Sequence, residues 1–249
     1  MSLKWLGDLI SANGFTHTLF ISLSIIGMVL AAIIWIIEFS GHTISRKGIV
    51  KNNVKWNAST IAIIAISAAV YIVGRPVQFQ FIPGIGGFNP TLALAPVLSI
   101  LFGLPGAIGV TFSMPIGDAI SGSLTVGSLA GWLSHTYVTW LAYKMVKGAD
   151  FKKMSNILSY YLWAIIIGPI IHAIVIPGFL DLTHVVPPAV AWAGVTTSIL
   201  INHMFTSAVV SAILVPILYP IVKKRGIYWK DRYQANQDLD LDDDFRTDL

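Results

Sequence analysis

Long, uncharged runs of apolar residues separated by short polar segments dominate this chain. The first run, Thr16–Ile37, contains no charged residue and is followed at once by Glu38. A helix that crosses the apolar core of a bilayer needs about 20 mainly apolar residues, so this run predicts a membrane-spanning helix. Six further runs have the same character: Ala58–Gly74, Pro90–Phe102, Gly106–Ala119, Val126–Tyr143, Asn156–Ile176 and Ala189–Val222.

Two of these runs are short and meet at a hinge. Pro90–Phe102 and Gly106–Ala119 are joined by a Gly-Leu-Pro-Gly sequence that begins at Gly103 and favours a break in a helix. The pattern leaves open whether they are two short spans or parts of a broken or re-entrant helix. The last run, Ala189–Val222, is long enough to tilt or to extend beyond the membrane.

The distribution of lysine and arginine tests the number of spans, because these residues gather in cytoplasmic loops. If the chain has seven spans, fourteen of its sixteen basic residues fall on one side, and only Lys4 and Arg75 fall on the other. The sequence therefore predicts seven spans, with the N-terminus outside and the C-terminus inside. The fourteen residues are Arg46, Lys47, Lys51, Lys55, Lys144, Lys147, Lys152, Lys153, Lys223, Lys224, Arg225, Lys230, Arg232 and Arg246.

Composition supports an all-α polytopic membrane protein of the cell membrane. Hydrophobic residues make up 55% of the 249 residues and charged residues only 11%, against about 25% charged in soluble proteins. Mean hydropathy is +0.74. These values exclude a soluble enzyme and a disordered or fibrous chain. The net charge of +4 lies in the loops, so we expect no nucleic-acid partner.

Motifs for catalysis are absent from the sequence. The chain contains no cysteine, which excludes disulfides, thiolate metal sites and a cysteine nucleophile. It also lacks a GxxxxGK[ST] loop, HExxH and GxSxG. We therefore predict no catalytic residues, no bound cofactor and no ATP hydrolysis by this chain itself.

Two charged residues lie near the outer ends of predicted spans, where a charge is costly unless it is interfacial or functional. Asp118 can be an interfacial residue or helix cap, or it can reach into an outward-facing cavity. Arg75 can anchor its helix at the interface, or it can contact an anionic group of a substrate. The sequence leaves both pairs of interpretations open.

Three histidines lie in three different late spans: His135, His172 and His203. Each alone is typical of a hydrogen-bonded interior residue, whereas together with Asn202 they can mark one polar cavity. A metal site is disfavoured, because no carboxylate joins the histidines and no two of them are paired on one helix. The sequence therefore predicts no metal ligands.

Aromatic residues are typical both of ligand pockets and of the belts at membrane interfaces. For Trp140, Tyr143 and Tyr160, near the predicted inner boundary, we expect a belt position. Trp132 and Trp192 lie toward the outer half, where pocket lining and belt remain equally open.

Small residues occupy one face of the second predicted span. Ala65 and Ala69, with Ser67 and Ala68 alongside, form a small-xxx-small pattern that lets another helix approach closely in lipid. The partner can be a helix of the same chain or of another subunit.

These features resemble the substrate-binding S component of energy-coupling factor (ECF) vitamin transporters. The resemblance covers about 57–222 and includes Ala65-xxx-Ala69, the outer loop Arg75–Phe88, the run Asn89–Leu98 and the run Phe102–Ala107. It implies a six-helix domain at 57–222. Segment 1–56 then adds an N-terminal span and a basic loop, and 223–249 is a cytoplasmic basic segment with a disordered acidic tail.

The resemblance also implies a mechanism. An S component captures a vitamin or related micronutrient from outside, closes a loop over it, and docks on a transmembrane coupling subunit. Two separate ATPase subunits drive the cycle. The implied docking residues are Ala65, Ala68 and Ala69. The candidate substrate-binding residues are Arg75, Gln78, Gln80, Asn89, Asp118, Trp132, His135, His172, Trp192, Asn202 and His203.

The residues of the candidate pocket favour a largely uncharged substrate with a heterocyclic part, and they do not rank individual vitamins. Three other classes remain as alternatives. A membrane-embedded enzyme needs convergent acids, bases or metal ligands. An ion-coupled secondary transporter predicts an internal repeat. A structural or assembly subunit needs only the small-residue faces.

Overall fold

The computed structural model describes residues 4–12, 14–75, 79–82, 86–120, 122 and 124–233. Its helices are α1 (Lys4–Ala12), α2 (Gly14–Phe39), α3 (Ala58–Gly74), α4 (Leu94–Phe102), α5 (Leu104–Ile120), α6 (Gly127–Met145), α7 (Met154–Leu182), α8 (Val190–Lys224) and α9 (Trp229–Tyr233). Two antiparallel hairpins, β1 (His42–Ser45) with β2 (Gly48–Lys51) and β3 (Phe79–Ile82) with β4 (Gly86–Phe88), complete the described elements.

Every apolar run identified in the sequence is helical, which confirms the all-α membrane class. Within the described residues, α2, α7 and α8 are long and apolar enough to cross a membrane. Helix α3, the segment Pro90–Phe102 and α5 are apolar but shorter. The number of spans and their orientation therefore remain predictions.

The hinge predicted at Gly103 is a sharp helix–helix corner. Gly103 has φ +65°, and α5 begins at the next residue. A Cβ at Gly106 would lie 2.2 Å from the carbonyl oxygen of Leu98, so α4 and α5 pack in close backbone contact. A 13-residue segment such as Pro90–Phe102 is about 20 Å long, shorter than the hydrocarbon core of a bilayer, which is about 30 Å thick.

The additional N-terminal helix α2 is an integral part of the bundle. The hydroxyl of Ser24 donates to the carbonyl of Val175 at 2.6 Å, and the hydroxyl of Tyr137 donates to the carbonyl of Gly27 at 2.6 Å. A Cβ at Gly27 would lie 2.5 Å from a methyl group of Val175. Helix α2 therefore packs tightly on both α6 and α7, and glycine permits the close approach.

A buried glutamate joins α2 to α6. Glu38, the only glutamate of the chain, is 1% exposed. Its Oε1 accepts hydrogen bonds from the Thr43 hydroxyl (2.6 Å), the Trp140 indole (2.6 Å) and the Tyr143 hydroxyl (2.8 Å). A buried carboxylate is tolerated when donors of this kind surround it.

The belt position expected for Trp140, Tyr143 and Tyr160 is wrong. All three side chains are buried inside the bundle, with exposed fractions of 7% or less. Their polar atoms bond within the protein, and the Tyr160 hydroxyl donates to the carbonyl of Ser207 at 2.5 Å. The sequence places them near an apolar boundary but does not show which way each ring points.

The three basic segments meet at one end of the bundle. The ammonium group of Lys230 in α9 donates to the carbonyl of Lys147, in the connection between α6 and α7. The hydroxyl groups of Thr60 and Tyr233 lie 3.1 Å apart and join α9 to the start of α3. The predicted acidic tail, Asp238–Leu249, lies outside the described residues.

Candidate functional site

The three histidines of the late spans come together in the centre of the bundle. His135 belongs to α6 and His172 to α7, while His203 lies in a π-helical segment of α8, Ile201–Phe205. A π-helical turn is wider than an α-helical one and recurs at functional sites. It also shifts the direction in which the following side chains point. We refer to His135, His172 and His203 as the histidine cluster.

The histidine cluster is enclosed and compact. The exposed fractions of His135, His172 and His203 are 0%, 2% and 3%. The ring centroid of His135 lies 5.5 Å from that of His172 and 5.6 Å from that of His203. The centroids of His172 and His203 are 4.7 Å apart. One ring nitrogen of each residue lies within 4.8 Å of those of the other two. The three ring nitrogens are therefore close enough together to contact the same bound atom or ion.

Buried polar atoms without a protein partner are concentrated in this region. Among the described residues, seven buried side-chain atoms lack a hydrogen-bond partner. Three of these are the Nδ1 atoms of the histidine cluster, and a fourth is the indole nitrogen of Trp132. Because leaving a buried polar group unpaired costs about 1–3 kcal/mol, such a concentration indicates a place where something else binds.

Tyr71 also belongs to the site, although the sequence analysis did not single it out. Its hydroxyl oxygen lies 3.2 Å from Nε2 of His135. Tyr71 precedes Arg75 by four residues, and Ser67, which has a buried hydroxyl without a described partner, precedes Tyr71 by four. Residues four apart share one face of a helix, so this spacing is the signal that could have identified Tyr71.

A second polar group lies beside the cluster. Arg75 forms an ion pair with Asp118, and the side-chain amide of Asn89 donates to the Arg75 carbonyl at 3.1 Å. Asn202 accepts from the backbone N–H of Asn89 at 2.8 Å. We refer to Arg75, Asn89, Asp118 and Asn202 as the arginine–asparagine group. Because Asn202 precedes His203, this group is joined directly to the histidine cluster.

The amide side chains of this group are satisfied within the protein. Asn89 Oδ1 accepts from the backbone N–H of Thr91 at 3.0 Å, and Asn202 Nδ2 donates to the carbonyl of Ser198 at 2.9 Å. Arg75 lies close enough to His135 to interact with it electrostatically. The amides therefore position the neighbouring chain, whereas the unpaired atoms lie on the histidines and on Trp132.

The two tryptophans proposed for the pocket have different positions. Trp132 packs edge-to-face on Phe112, with centroids 5.4 Å apart, and contacts the apolar cluster that contains Tyr71. Trp192 lies in another cluster and donates to Asp181 at 2.7 Å. Trp132 therefore packs on the apolar cluster that contains Tyr71, whereas Trp192 belongs to a different cluster.

Asp181 anchors Trp192 to the N-terminal part of the chain. Its Oδ2 also lies 2.7 Å from Nε2 of His17, and the carboxylate residue is 2% exposed. Phe20 packs edge-to-face on Trp192 at a centroid distance of 5.2 Å. This second polar pair, which the sequence analysis did not identify, joins α7 and α8 to α2 rather than to the histidine cluster.

The lid that the resemblance implies, the loop around Gln78–Phe88, is only partly described. Gln78 lies outside the described residues, and Gln80 belongs to strand β3, of which the backbone alone is described. Strand β4 contacts the π-helical segment Ile201–Phe205. The hairpin of the outer loop therefore packs on the segment that carries Asn202 and His203.

The predicted docking face divides into two parts. A Cβ at Gly109 of α5 would lie 2.5 Å from the carbonyl oxygen of Ile64 and 2.7 Å from Cβ of Ser67. The side of α3 that carries Ser67 and the half-buried Ala68 thus packs inside the bundle. Ala65 and Ala69 are exposed on its surface.

Comparisons with protein-family models, with curated proteins and with solved structures gave no match to this chain. Its candidate function therefore follows from the site itself. An enclosed group of nitrogen donors beside an arginine–carboxylate pair, within an apolar bundle, is suited to binding a small ligand.

Proposed function

We propose that this chain is the substrate-binding S component of an ECF-type transporter, which captures a vitamin or related micronutrient. The observation that carries the proposal is the concentration of unpaired buried polar atoms at the histidine cluster and Trp132. Seven of the eleven residues selected from the sequence belong to the histidine cluster or to the arginine–asparagine group. A purely structural subunit gives no reason for such a concentration.

The chemistry of the site favours a ligand with both donor and acceptor groups. Imidazole nitrogens can donate or accept according to their tautomer, and the Trp132 indole only donates. Arg75 is already paired with Asp118, so the pair contributes little net charge. A largely uncharged heterocyclic molecule matches this combination better than a strongly ionic one.

The hairpin β3–β4 is the proposed lid. It follows Arg75 in the chain and packs on Ile201–Phe205. Opening the hairpin would uncover the segment Ile201–Phe205, which bears Asn202 and His203. Substrate entry and lid movement are coupled in this arrangement, because the same α8 segment bears Asn202 and supports the lid.

The proposed membrane arrangement has seven spans, with the basic end of the bundle in the cytoplasm. The segments after α2, after α6 and after α8 meet at that end. The lid and the arginine–asparagine group lie at the other ends of α3 and α4, which this orientation places outside. Ala65 and Ala69 would then face the coupling subunit, and two ATPase subunits would supply the energy.

Ligand released from the purified protein is the direct test. The detergent-solubilised protein is denatured, and small molecules in the supernatant are identified by mass spectrometry. A stoichiometric heterocyclic compound that binds again to ligand-free, folded protein supports the proposal. If neither the released fraction nor a screen of vitamins and their precursors yields a ligand, the proposal is rejected.

A pair of tryptophan variants locates the ligand. Trp132→Phe removes the buried indole N–H but keeps an aromatic ring, so we expect about a tenfold weaker affinity, the value of one hydrogen bond. Trp56→Phe is the control, because Trp56 is 48% exposed at the basic end. Equal affinities of the two variants would place the ligand elsewhere.

A further inference from the structure

We propose that the histidine cluster is a binding site for one divalent transition-metal ion, of the class that prefers imidazole ligands: Zn²⁺, Co²⁺, Ni²⁺ or Cu²⁺. Each of His135, His172 and His203 contributes one ring nitrogen, and these nitrogens lie within 4.8 Å of one another. The inference rests on the cluster alone and does not depend on the proposed transport function.

The spacing of the ring nitrogens is close to that of a three-histidine metal site. A tetrahedral ion bound at about 2.0–2.1 Å holds its ligand atoms about 3.3 Å apart. Nitrogens that lie within 4.8 Å of one another reach this spacing when each ring moves by about 1 Å, which small side-chain rotations supply. No movement of the helices is required.

The unpaired nitrogens indicate which atoms are the ligands. Nδ1 of each histidine is buried and has no hydrogen-bond partner among the described residues. In a site without an ion, an imidazole nitrogen of this kind loses its hydrogen bond to water and gains nothing in return. Coordination of one ion by the three Nδ1 atoms removes this cost at three positions together.

Tyr71 has the position expected of a residue that orients a ligand. Its hydroxyl lies 3.2 Å from Nε2 of His135. A metal-bound histidine almost always donates its other ring N–H to an oxygen, which fixes the tautomer and the ring orientation. Donation from Nε2 to Tyr71 leaves Nδ1 of His135 unprotonated and able to bind a metal ion.

Two features of the sequence disfavour a metal site. The first, that the histidines lie on separate helices, is removed by their convergence in the bundle. The second, the lack of a carboxylate ligand, is compatible with zinc sites that use three histidines and keep the fourth position open. Asp118 is held by Arg75 and does not complete the set.

The charge of the site restricts its fourth ligand. Three neutral imidazoles leave the charge of a divalent ion uncompensated at a place where all three histidines are buried. An anion at the open position, such as hydroxide or an ionised donor atom of a captured molecule, would compensate this charge. Because Arg75 is paired with Asp118, the compensating charge would have to come from the anion itself.

Metal titration of the purified protein tests the proposal. The protein is prepared without a histidine tag, stripped with a chelator and dialysed. It is then titrated with Zn²⁺ by calorimetry, and the metal content is measured by elemental mass spectrometry. We expect one ion per chain. Co²⁺ in place of Zn²⁺ should give the intense visible absorption of a tetrahedral site.

Three variants and a control identify the ligands. His172→Gln and His203→Gln should each abolish stoichiometric binding. Tyr71→Phe should weaken it by about 10–100-fold, because it removes the orienting bond. His184→Asn is the control: His184 is exposed in a turn with φ +54°, a conformation that asparagine tolerates, and this variant should bind like the wild type.

Two results overturn the metal site. One is a wild-type protein that takes up no stoichiometric Zn²⁺ or Co²⁺, and the other is a glutamine variant that keeps full binding. If the glutamine variants fail to fold, the wild-type protein is loaded with Cu²⁺ and its electron paramagnetic resonance spectrum is recorded. Three nitrogen ligands in that spectrum support the site, and fewer reject it. A micronutrient released from a protein without metal affinity would reject this site and leave the proposed transport function intact.

Discussion

The indole N–H of Trp140 donates to Oε1 of Glu38 across 2.6 Å, and this bond joins α6 to the end of α2. The same oxygen accepts from Thr43 and Tyr143. Helix α2 is therefore attached at its C-terminal end by a buried network. At its middle it is attached by the close approach of Gly27 to α7.

This network predicts a strong dependence of stability on Glu38. Glu38→Ala leaves three buried donors without an acceptor, and we expect a loss of at least about 3 kcal/mol in the free energy of unfolding. Trp140→Phe removes one donor only and should cost about 1 kcal/mol. Apparent unfolding temperatures in detergent compare the two variants. An unchanged temperature for Glu38→Ala contradicts the network.

The corner between α4 and α5 supplies a second prediction. Gly103 has φ +65°, and a Cβ there would lie 2.7 Å from the ring of Trp229. With φ +65° and ψ −140°, Gly103 has a backbone conformation that is nearly restricted to glycine, so Gly103→Ala combines backbone strain of about 1–3 kcal/mol with overpacking of about 1–3 kcal/mol. Thermal unfolding of the purified variant measures the sum.

A control separates the two contributions at this corner. Gly226 also has a positive φ (+67°), but a Cβ there would meet no atom within 4 Å, so Gly226→Ala introduces backbone strain without overpacking. We expect Gly103→Ala to be the more destabilising change. The double variant Gly103→Ala/Trp229→Ala should lose the overpacking contribution. If the two glycine variants are equally stable, the contact with Trp229 is not the cause.

The helical segments could be predicted from the sequence because their signals are local. The run at Ala58–Gly74 was predicted with the bounds that the structure has, since Asn57 caps its start and Arg75 follows its end. The hinge at Gly103 was likewise visible as a glycine–proline sequence. A run of uncharged residues that is bounded by polar residues or glycine shows where a helix begins and where it ends.

The convergence of the site could be predicted only in part. His135, His172 and His203 could be assigned to spans, but whether their rings meet depends on the rotation of each helix about its axis. The π-helical segment that contains His203 changes that rotation, and no sequence pattern marked it. The sequence leaves pocket lining and belt equally open for Trp192, whereas the structure packs it with Ile10 of the short helix α1, which the apolar runs do not mark.

The ion pair of Arg75 and Asp118 gives a third prediction. The exposed fractions of the two side chains are only 17% and 12%, so Asp118→Asn leaves a largely buried guanidinium without its charged partner. We expect this variant to unfold at a lower temperature than the wild type. The double variant Arg75→Gln/Asp118→Asn carries neither charge and should recover part of the loss.

A double-mutant cycle measures the coupling between the two residues. Unfolding of the wild type, Arg75→Gln, Asp118→Asn and the double variant gives an interaction free energy, which we expect to be about 1–3 kcal/mol for residues in contact. Additive effects of the two substitutions would show that the pair is not coupled. In that case Arg75 would be free to contact a ligand without competition from Asp118.

The exposed small residues of α3 give the last prediction, which rests on the proposed function. Ala65 and Ala69 are exposed on α3, whereas the opposite side packs on Gly109 of α5. Ala65→Trp or Ala69→Trp should therefore leave the bundle and its ligand binding intact, but the ring should prevent close approach of a partner helix. The measurement is co-purification with a co-expressed ECF coupling subunit and its two ATPases.

The control for docking is a ring added to another exposed surface. Leu158 in α7 is 62% exposed, so Leu158→Trp adds the same bulk away from α3 and should co-purify normally. Loss of co-purification in the α3 variants alone would identify this face as the docking surface, because helix association in lipid depends on close packing of small residues. Normal assembly of both α3 variants would reject the face, and equal loss in all three would indicate a general defect in membrane insertion rather than a docking surface.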